Sequence, residues 1–146
     1  MKSTAATSLT AALETPEAIA LGGSWTDRVG GSVRLTLRAE GLPLFVAGVA
    51  IYATLGGPWL AFIPLLLAPD LSAIGFARDA RLGATTYNAA HNLVTGGAVL
   101  ALGLWLGLGW LAIGGSILLA HIGMDRLAGY GLKYPTTFKD THFQHV

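Results

Sequence analysis

Four stretches of this chain are apolar for close to the ~20 residues that an α-helix needs to cross the ~30 Å hydrocarbon core of a bilayer. They run from about Val33 to Leu55, Pro58 to Phe76, Ala84 to Leu106 and Trp110 to Leu127. Composition agrees: 53% of the 146 residues are hydrophobic and 12% charged, against roughly 25% charged in an ordinary soluble domain. Gly56-Gly57-Pro58 and Gly107-Leu108-Gly109 supply tight turns between the first and second and between the third and fourth stretches. The expected fold is therefore all-α, a four-helix transmembrane bundle of two antiparallel helical hairpins over residues 33–128. A mobile or interfacial N-terminal arm, residues 1–32, precedes it, and a structured cytoplasmic C-terminal tail, residues 129–146, follows.

The arm mixes Thr, Ser, Glu, Asp and Gly without the apolar centre of a signal peptide, and is expected to be uncleaved. Thr15-Pro16-Glu17 has the form of a helix start that Gly22-Gly23 would end. Arg28, Arg34 and Arg38 precede the first span, Arg78 and Arg81 join the second to the third, and Arg126, Lys133 and Lys139 follow the fourth. The two glycine turns carry no cation. The positive-inside rule then places both termini in the cytoplasm, with Trp59 and Trp110 anchoring the outer interface. A net charge of +1 gives no reason to expect nucleic acid as a partner, and the absence of cysteine excludes disulfides, thiolate metal sites and a cysteine nucleophile.

Ionisable residues inside such spans are expensive and mark either a buried partner or a site. Counted at 1.5 Å per residue from the cytoplasmic ends, Asp70, His91 and His121 all lie roughly 10 Å deep. Glu40 reaches a comparable depth in the first span. Tyr87 and Asn88 lie four and three residues before His91, and Asp125 four after His121, so each pair shares a helix face. One bundle interior can thus receive Glu40, Asp70, His91, His121 and Asp125, a set of imidazoles and carboxylates suited to Zn, Mn or Fe. Structural roles stay open beside this: Asp70 as a cap after Pro69, His91 bonded to Tyr87 or Asn88, His121 with Asp125 as a local polar pair, and Glu40 paired with Arg34 or Arg38.

The tail is aromatic, basic and turn-rich, and it leaves the membrane at the mouth of this polar layer. It can fold back as a lid that offers Lys133, Lys139, Asp140 or His142 to a ligand, or lie at the interface with Tyr130, Tyr134 and Phe138 as anchors beside lysines that meet anionic lipid.

The strings Leu37-Arg38-Ala39-Glu40-Gly41, Leu67-Ala68-Pro69-Asp70-Leu71-Ser72, Tyr87-Asn88-Ala89-Ala90-His91 and Ala120-His121-Ile122-Gly123-Met124-Asp125-Arg126 resemble domain of unknown function 4260, DUF4260, a family of small bacterial integral membrane proteins. Gly129-Tyr130-Gly131-Leu132-Lys133-Tyr134-Pro135, continuing to Phe138-Lys139-Asp140-Thr141-His142, resembles its most distinctive signature. The resemblance implies a small multi-pass protein of the bacterial inner membrane, and no assigned reaction. A weaker similarity, without a shared linear motif, is to membrane-bound metal-dependent hydrolases.

Three functions compete. In the first, Asp70, His91, His121 and Asp125 hold a divalent transition metal that activates water. Asp70 and Glu40 are then the catalytic carboxylates, and Tyr87, Asn88, Arg126, Lys133, Tyr134, Lys139 and His142 contact a lipid or isoprenoid phosphate. In the second, His91 and His121 are axial ligands of a b-type haem. In the third, the polar layer is structural and the chain is an accessory subunit of a larger membrane complex.

Overall fold

The computed structural model describes residues 25–146, with side chains from Gly30 onward. Most of the expected arm, with its helix start at Thr15-Pro16-Glu17, lies outside the described residues. Residues 37–145 form one compact unit and contain every residue of the site below. Among the described residues of the other unit, which reaches Thr36 and includes Val146, the Arg34 Nε donates to the Val146 carbonyl oxygen at 2.8 Å.

The described residues are all-α, but they do not form the expected four-helix bundle of two hairpins. They form five α-helices: α1 (Trp25–Thr54), α2 (Trp59–Leu67), α3 (Ala80–Ala90), α4 (Leu93–Trp105) and α5 (Gly109–Ala128). A 3₁₀ segment, Ala68–Ala77, continues α2, and a short one, His142–Gln144, lies in the tail. Among the described residues, three segments are long and apolar enough to cross a membrane: Gly30–Thr54, Trp59–Ala77 and Gly109–Ala128. The expected third span is the one that fails. Its residues divide into the polar α3 and the 13-residue α4, which at 1.5 Å per residue covers only about 20 Å.

Asn92 is the physical cause of the break. It adopts an extended conformation as the N-cap of α4, and its Oδ1 accepts from the Thr95 backbone N–H at 2.9 Å. Its Nδ2 reaches the other way, to the carbonyl oxygens of Asn88 and Ala89 at the end of α3 and to Thr95 Oγ1. One amide therefore serves the loose backbone groups on both sides of the interruption. Backbone polar groups at membrane depth are tolerated only where they are satisfied in this way.

The second span is irregular too. Pro69 lacks an N–H and opens the ten-residue 3₁₀ segment, longer than the three or four residues such helices usually reach. The tighter winding rises ~2.0 Å per residue, so the 19 residues from Trp59 to Ala77 extend for roughly 33 Å and still match a bilayer. Thr86 of α3 ties this segment sideways, donating from Oγ1 to the Ser72 carbonyl oxygen at 2.7 Å.

Helix α5 is the centre of the unit. Its Gly123 meets α1 so closely that a Cβ there would overlap the Phe45 backbone nitrogen. Tyr52, Phe62, Leu66, Ile117 and Ala120 form the core where α1, α2 and α5 meet, and Tyr52 donates its hydroxyl to the Pro58 carbonyl oxygen at 2.7 Å.

Removing the Asn92 amide should loosen the α3–α4 junction. Asn92→Ala is expected to lower the unfolding free energy by about 1–2 kcal/mol, read as a lower thermal midpoint of the purified protein in detergent. An unchanged midpoint would show that the break is held by something else.

Candidate metal centre

His91 ends α3, and its ring turns back onto the helix it terminates. Its Nδ1 lies 2.8 Å from the Tyr87 carbonyl oxygen, and its ring stacks on that of Tyr87 at 3.6 Å between centroids and 11° between planes. His121 stands inside α5 with no exposed surface, its Nδ1 2.6 Å from the Leu66 carbonyl oxygen. That carbonyl is available for a sequence reason. In the 3₁₀ register its backbone donor would be residue 69, and Pro69 has no N–H to give. Carbonyl oxygens only accept, so each Nδ1 carries a proton, and in the neutral ring the Nε2 then presents a lone pair.

These two Nε2 atoms lie 2.9 Å apart. Two bare lone pairs at that distance repel, so a cation, either a proton or a metal ion, belongs between them. Asp70 Oδ1 stands 3.5 Å from both nitrogens, and Asp125 Oδ2 stands 3.8 Å from His91 Nε2 and 3.7 Å from His121 Nε2. All four donor atoms lie within 4.8 Å of one another. Metal–ligand bonds of about 2.0–2.2 Å set the edges of a tetrahedron at roughly 3.3–3.6 Å, and the observed separations bracket that value. A proton shared between the two nitrogens fits their 2.9 Å separation as a hydrogen bond, whereas only a central ion would use all four donor atoms. The cluster is capable of coordinating a metal ion.

Its surroundings have the form expected around metal ligands. Both imidazoles give their second nitrogen to a backbone carbonyl, and the Tyr87 hydroxyl donates to Asp125 Oδ2 at 2.9 Å. Such outer partners fix ring orientation and ligand basicity. Exposure is uneven: the Asp125 side chain keeps 14% of its surface, while that of Asp70 keeps 51% and forms the open side.

The tail folds back onto this side. Helix α5 stops at Gly129, whose φ of 93° suits glycine alone, with Gly129 N–H bonded to the Arg126 carbonyl oxygen and Tyr130 N–H to that of Asp125. Arg38 of α1 donates to the Leu127 carbonyl oxygen at 3.0 Å. Residues 132–142 then form a narrow loop in which Lys133 pairs antiparallel with Thr141. Asn88 clamps this loop, its Nδ2 donating to the Lys133 carbonyl oxygen at 2.9 Å while its Oδ1 accepts from the Lys133 N–H at 2.7 Å. The Lys133 ammonium is bonded to the Phe138 carbonyl oxygen and lies 3.8 Å from the Phe138 ring centroid and 4.5 Å from that of Tyr87. Burial pushes its pKa down, and the carboxylates of Asp125 and Asp70 oppose that shift. A cavity of about 400 Å³ remains beside the cluster, lined by Asp70, Tyr87, Asp125, Tyr130, Lys133 and Phe138 among others.

The convergence expected from equal depth thus holds for Asp70, His91, His121 and Asp125, but not for Glu40. Glu40 is exposed on α1 and belongs to no hydrogen bond, ion pair or ligand cluster among the described residues. Lys133 and Tyr87 line the cavity, and Arg126 and His142 border a separate void of about 10 Å³ together with His91 and Asp125. His142 Nδ1 accepts from the Leu132 N–H, and burial lowers its pKa. Lys139 and Tyr134 are exposed, the latter with its ring against His145. Asn88 spends its amide on the tail, and Asn92 was not among the candidates, although Asn-x-x-Thr is a helix-start pattern that marks the break.

Residues 34–146 match the family described as Domain of unknown function (DUF4260). The chain belongs to that family. The DUF4260 match takes in all four clustered residues and the tail, and bears out the resemblance carried by the five sequence strings. No curated protein and no solved structure matches the chain.

The tail's attachment is testable without reference to function. Asn88→Ala leaves the Lys133 N–H and carbonyl without their partners, at about 1–3 kcal/mol for unmet backbone groups. Hydrogen–deuterium exchange of residues 132–142 is expected to accelerate by at least about tenfold, while α5 keeps its protection. Unchanged exchange in the tail would refute the clamp.

Proposed function

We propose that this DUF4260 protein is a membrane-embedded, metal-dependent hydrolase acting on a lipid or isoprenoid phosphate. The observation that carries the proposal is the convergence of two imidazoles and two carboxylates with donor atoms within 4.8 Å of one another, each ring tied at Nδ1 to a backbone carbonyl. Zn or Mn suits a set of imidazole and carboxylate donors without sulfur. A haem is disfavoured, because axial nitrogens stand on opposite faces of a macrocycle and 2.9 Å leaves no room for one.

The bound metal would supply a water acidified toward neutrality. His91, His121 and Asp125 would hold the ion from the buried side. Asp70, at the open side, would complete the set and could accept a proton at its carboxylate. Tyr87 keeps Asp125 oriented. The Lys133 ammonium borders the same cavity as the two carboxylates and attracts the anionic group of the substrate. Glu40 has no part in this scheme. The Arg and Lys bias of the loops supports a cytoplasmic position for the site, so Arg81→Cys is expected to react with an impermeant thiol reagent only after the cells are opened. Labelling in intact cells would reverse the orientation.

Elemental analysis of detergent-purified protein tests the metal itself. About one Zn or Mn per chain is expected, lost when His91→Ala and His121→Ala are combined. Tyr87→Phe, which keeps the ring stack and removes only the bond to Asp125, should weaken metal affinity by about tenfold. Metal that is substoichiometric and indifferent to the histidine substitutions would leave a structural polar cluster, as in an accessory subunit, and would end the hydrolase proposal.

A further inference from the structure

An apolar groove of about 340 Å³ lies next to the cluster, lined by Leu65, Pro69, Val99, Gly114, Ile117 and Leu118 among others. Its position follows the same helix faces as the site. Along α5, Gly114, Ile117 and Leu118 line the groove, His121 follows one turn on, and Met124 and Asp125 line the polar cavity after it. Spacings of three and four residues keep this whole series on one face. Along the second span, Pro69 lines the groove and the next residue, Asp70, lines the polar cavity. Asp70 is also flanked by apolar side chains that point outward, Leu71 at 74% exposure and Ile74 at 79%. The open side of the cluster therefore borders the apolar surface of a membrane-crossing segment.

We infer that this groove is the subsite for the hydrocarbon chain of the same anionic amphiphile whose head group meets the cluster, and that Gly114 sets how much chain it accepts. The inference rests on the metal-site proposal and adds a specificity determinant to it. Charge and polarity argue for one occupant of this kind. The cavity beside Asp70 and Asp125 contains a lysine, whereas the groove offers a chain nothing but apolar walls. Gly114 is the residue on which a gauge can be built, because a Cβ added there meets no atom within 4 Å. A larger side chain enters the groove without straining α5. Gly97 of α4 is equally open and is not among the groove residues, which makes it the matching control.

The test uses the full chain in lipid nanodiscs, loaded with Co²⁺ as a spectroscopic ion, with methylphosphonate and dodecylphosphonate as probes. Both probes should perturb the visible Co²⁺ bands of the wild type. Gly114→Leu is expected to raise the half-saturating concentration of dodecylphosphonate by about tenfold and leave that of methylphosphonate unchanged. Gly97→Leu should change neither. Leu118→Ala, which widens the groove instead of filling it, should weaken dodecylphosphonate by about threefold with no effect on the short probe. Bound Co²⁺ with both probes shifted equally, or neither shifted, in Gly114→Leu and Leu118→Ala overturns the chain subsite alone. Failure of the wild type to hold Co²⁺ overturns the metal proposal and the subsite with it.

Discussion

Two tethers between an imidazole N–H and a backbone carbonyl hold the centre of this molecule: His91 on Tyr87 and His121 on Leu66. Each depends on a place where regular helix stops. His91 stands at the end of α3, where Asn92 begins a new helix, and the Leu66 carbonyl is open because its 3₁₀ donor would be a proline. An unbroken second span would consume the Leu66 carbonyl in the helix ladder. The two irregularities that make the fold depart from a plain bundle are thus the same features that orient the site. Their partners are satisfied within the protein, which is the condition for irregular backbone at membrane depth.

Helix α5 links this centre to the tail through a closed set of contacts. His121 and Asp125 project from one face, while Gly123 between them allows the close approach of α1 on another. The helix then ends at Gly129, and the left-handed turn there, backed by Arg38 on the Leu127 carbonyl, sets the direction in which the chain leaves. That direction brings Lys133 to Asn88 one residue beyond Tyr87, and the Tyr87 hydroxyl returns to Asp125. The circuit from Asp125 through the tail and back runs along the chain to Lys133, across the Lys133–Asn88 hydrogen bonds, and back through the Tyr87–Asp125 hydrogen bond.

Much of the site could be read from sequence, because charge in an apolar run is rare and depth along a helix is a simple count. Asp70, His91, His121 and Asp125 came out on that basis. Glu40 satisfied the same count and failed, since depth says nothing about the rotation of a helix about its axis and Glu40 faces outward. The expected third span fails because a long apolar window averages over the polar residues Tyr87, Asn88, His91 and Asn92 that gather at the break. Asn92 as a cap with Thr95 three residues on was the available signal. The 3₁₀ stretch after Pro69 carries no comparable signature, as one proline equally marks a kink. The roles of Asn88 and Lys133 as clamp and caged cation depend on a loop returning over a distance that periodicity does not encode.

Charge explains why a lysine of the tail belongs beside this cluster. Asp70 and Asp125 bring two carboxylates to donor atoms within 4.8 Å, where like charges repel. Lys133 offsets one of them, and it pays the desolvation of its ammonium through the Phe138 carbonyl and two aromatic faces instead of a direct ion pair. That arrangement leaves both carboxylates free to face the imidazole nitrogens, where a salt bridge to the lysine would have drawn one away. On the proposed reading a divalent ion turns the residual negative charge into a positive one. The cavity would then attract an anionic head group more strongly with the ion present, which would couple metal binding and substrate binding through electrostatics.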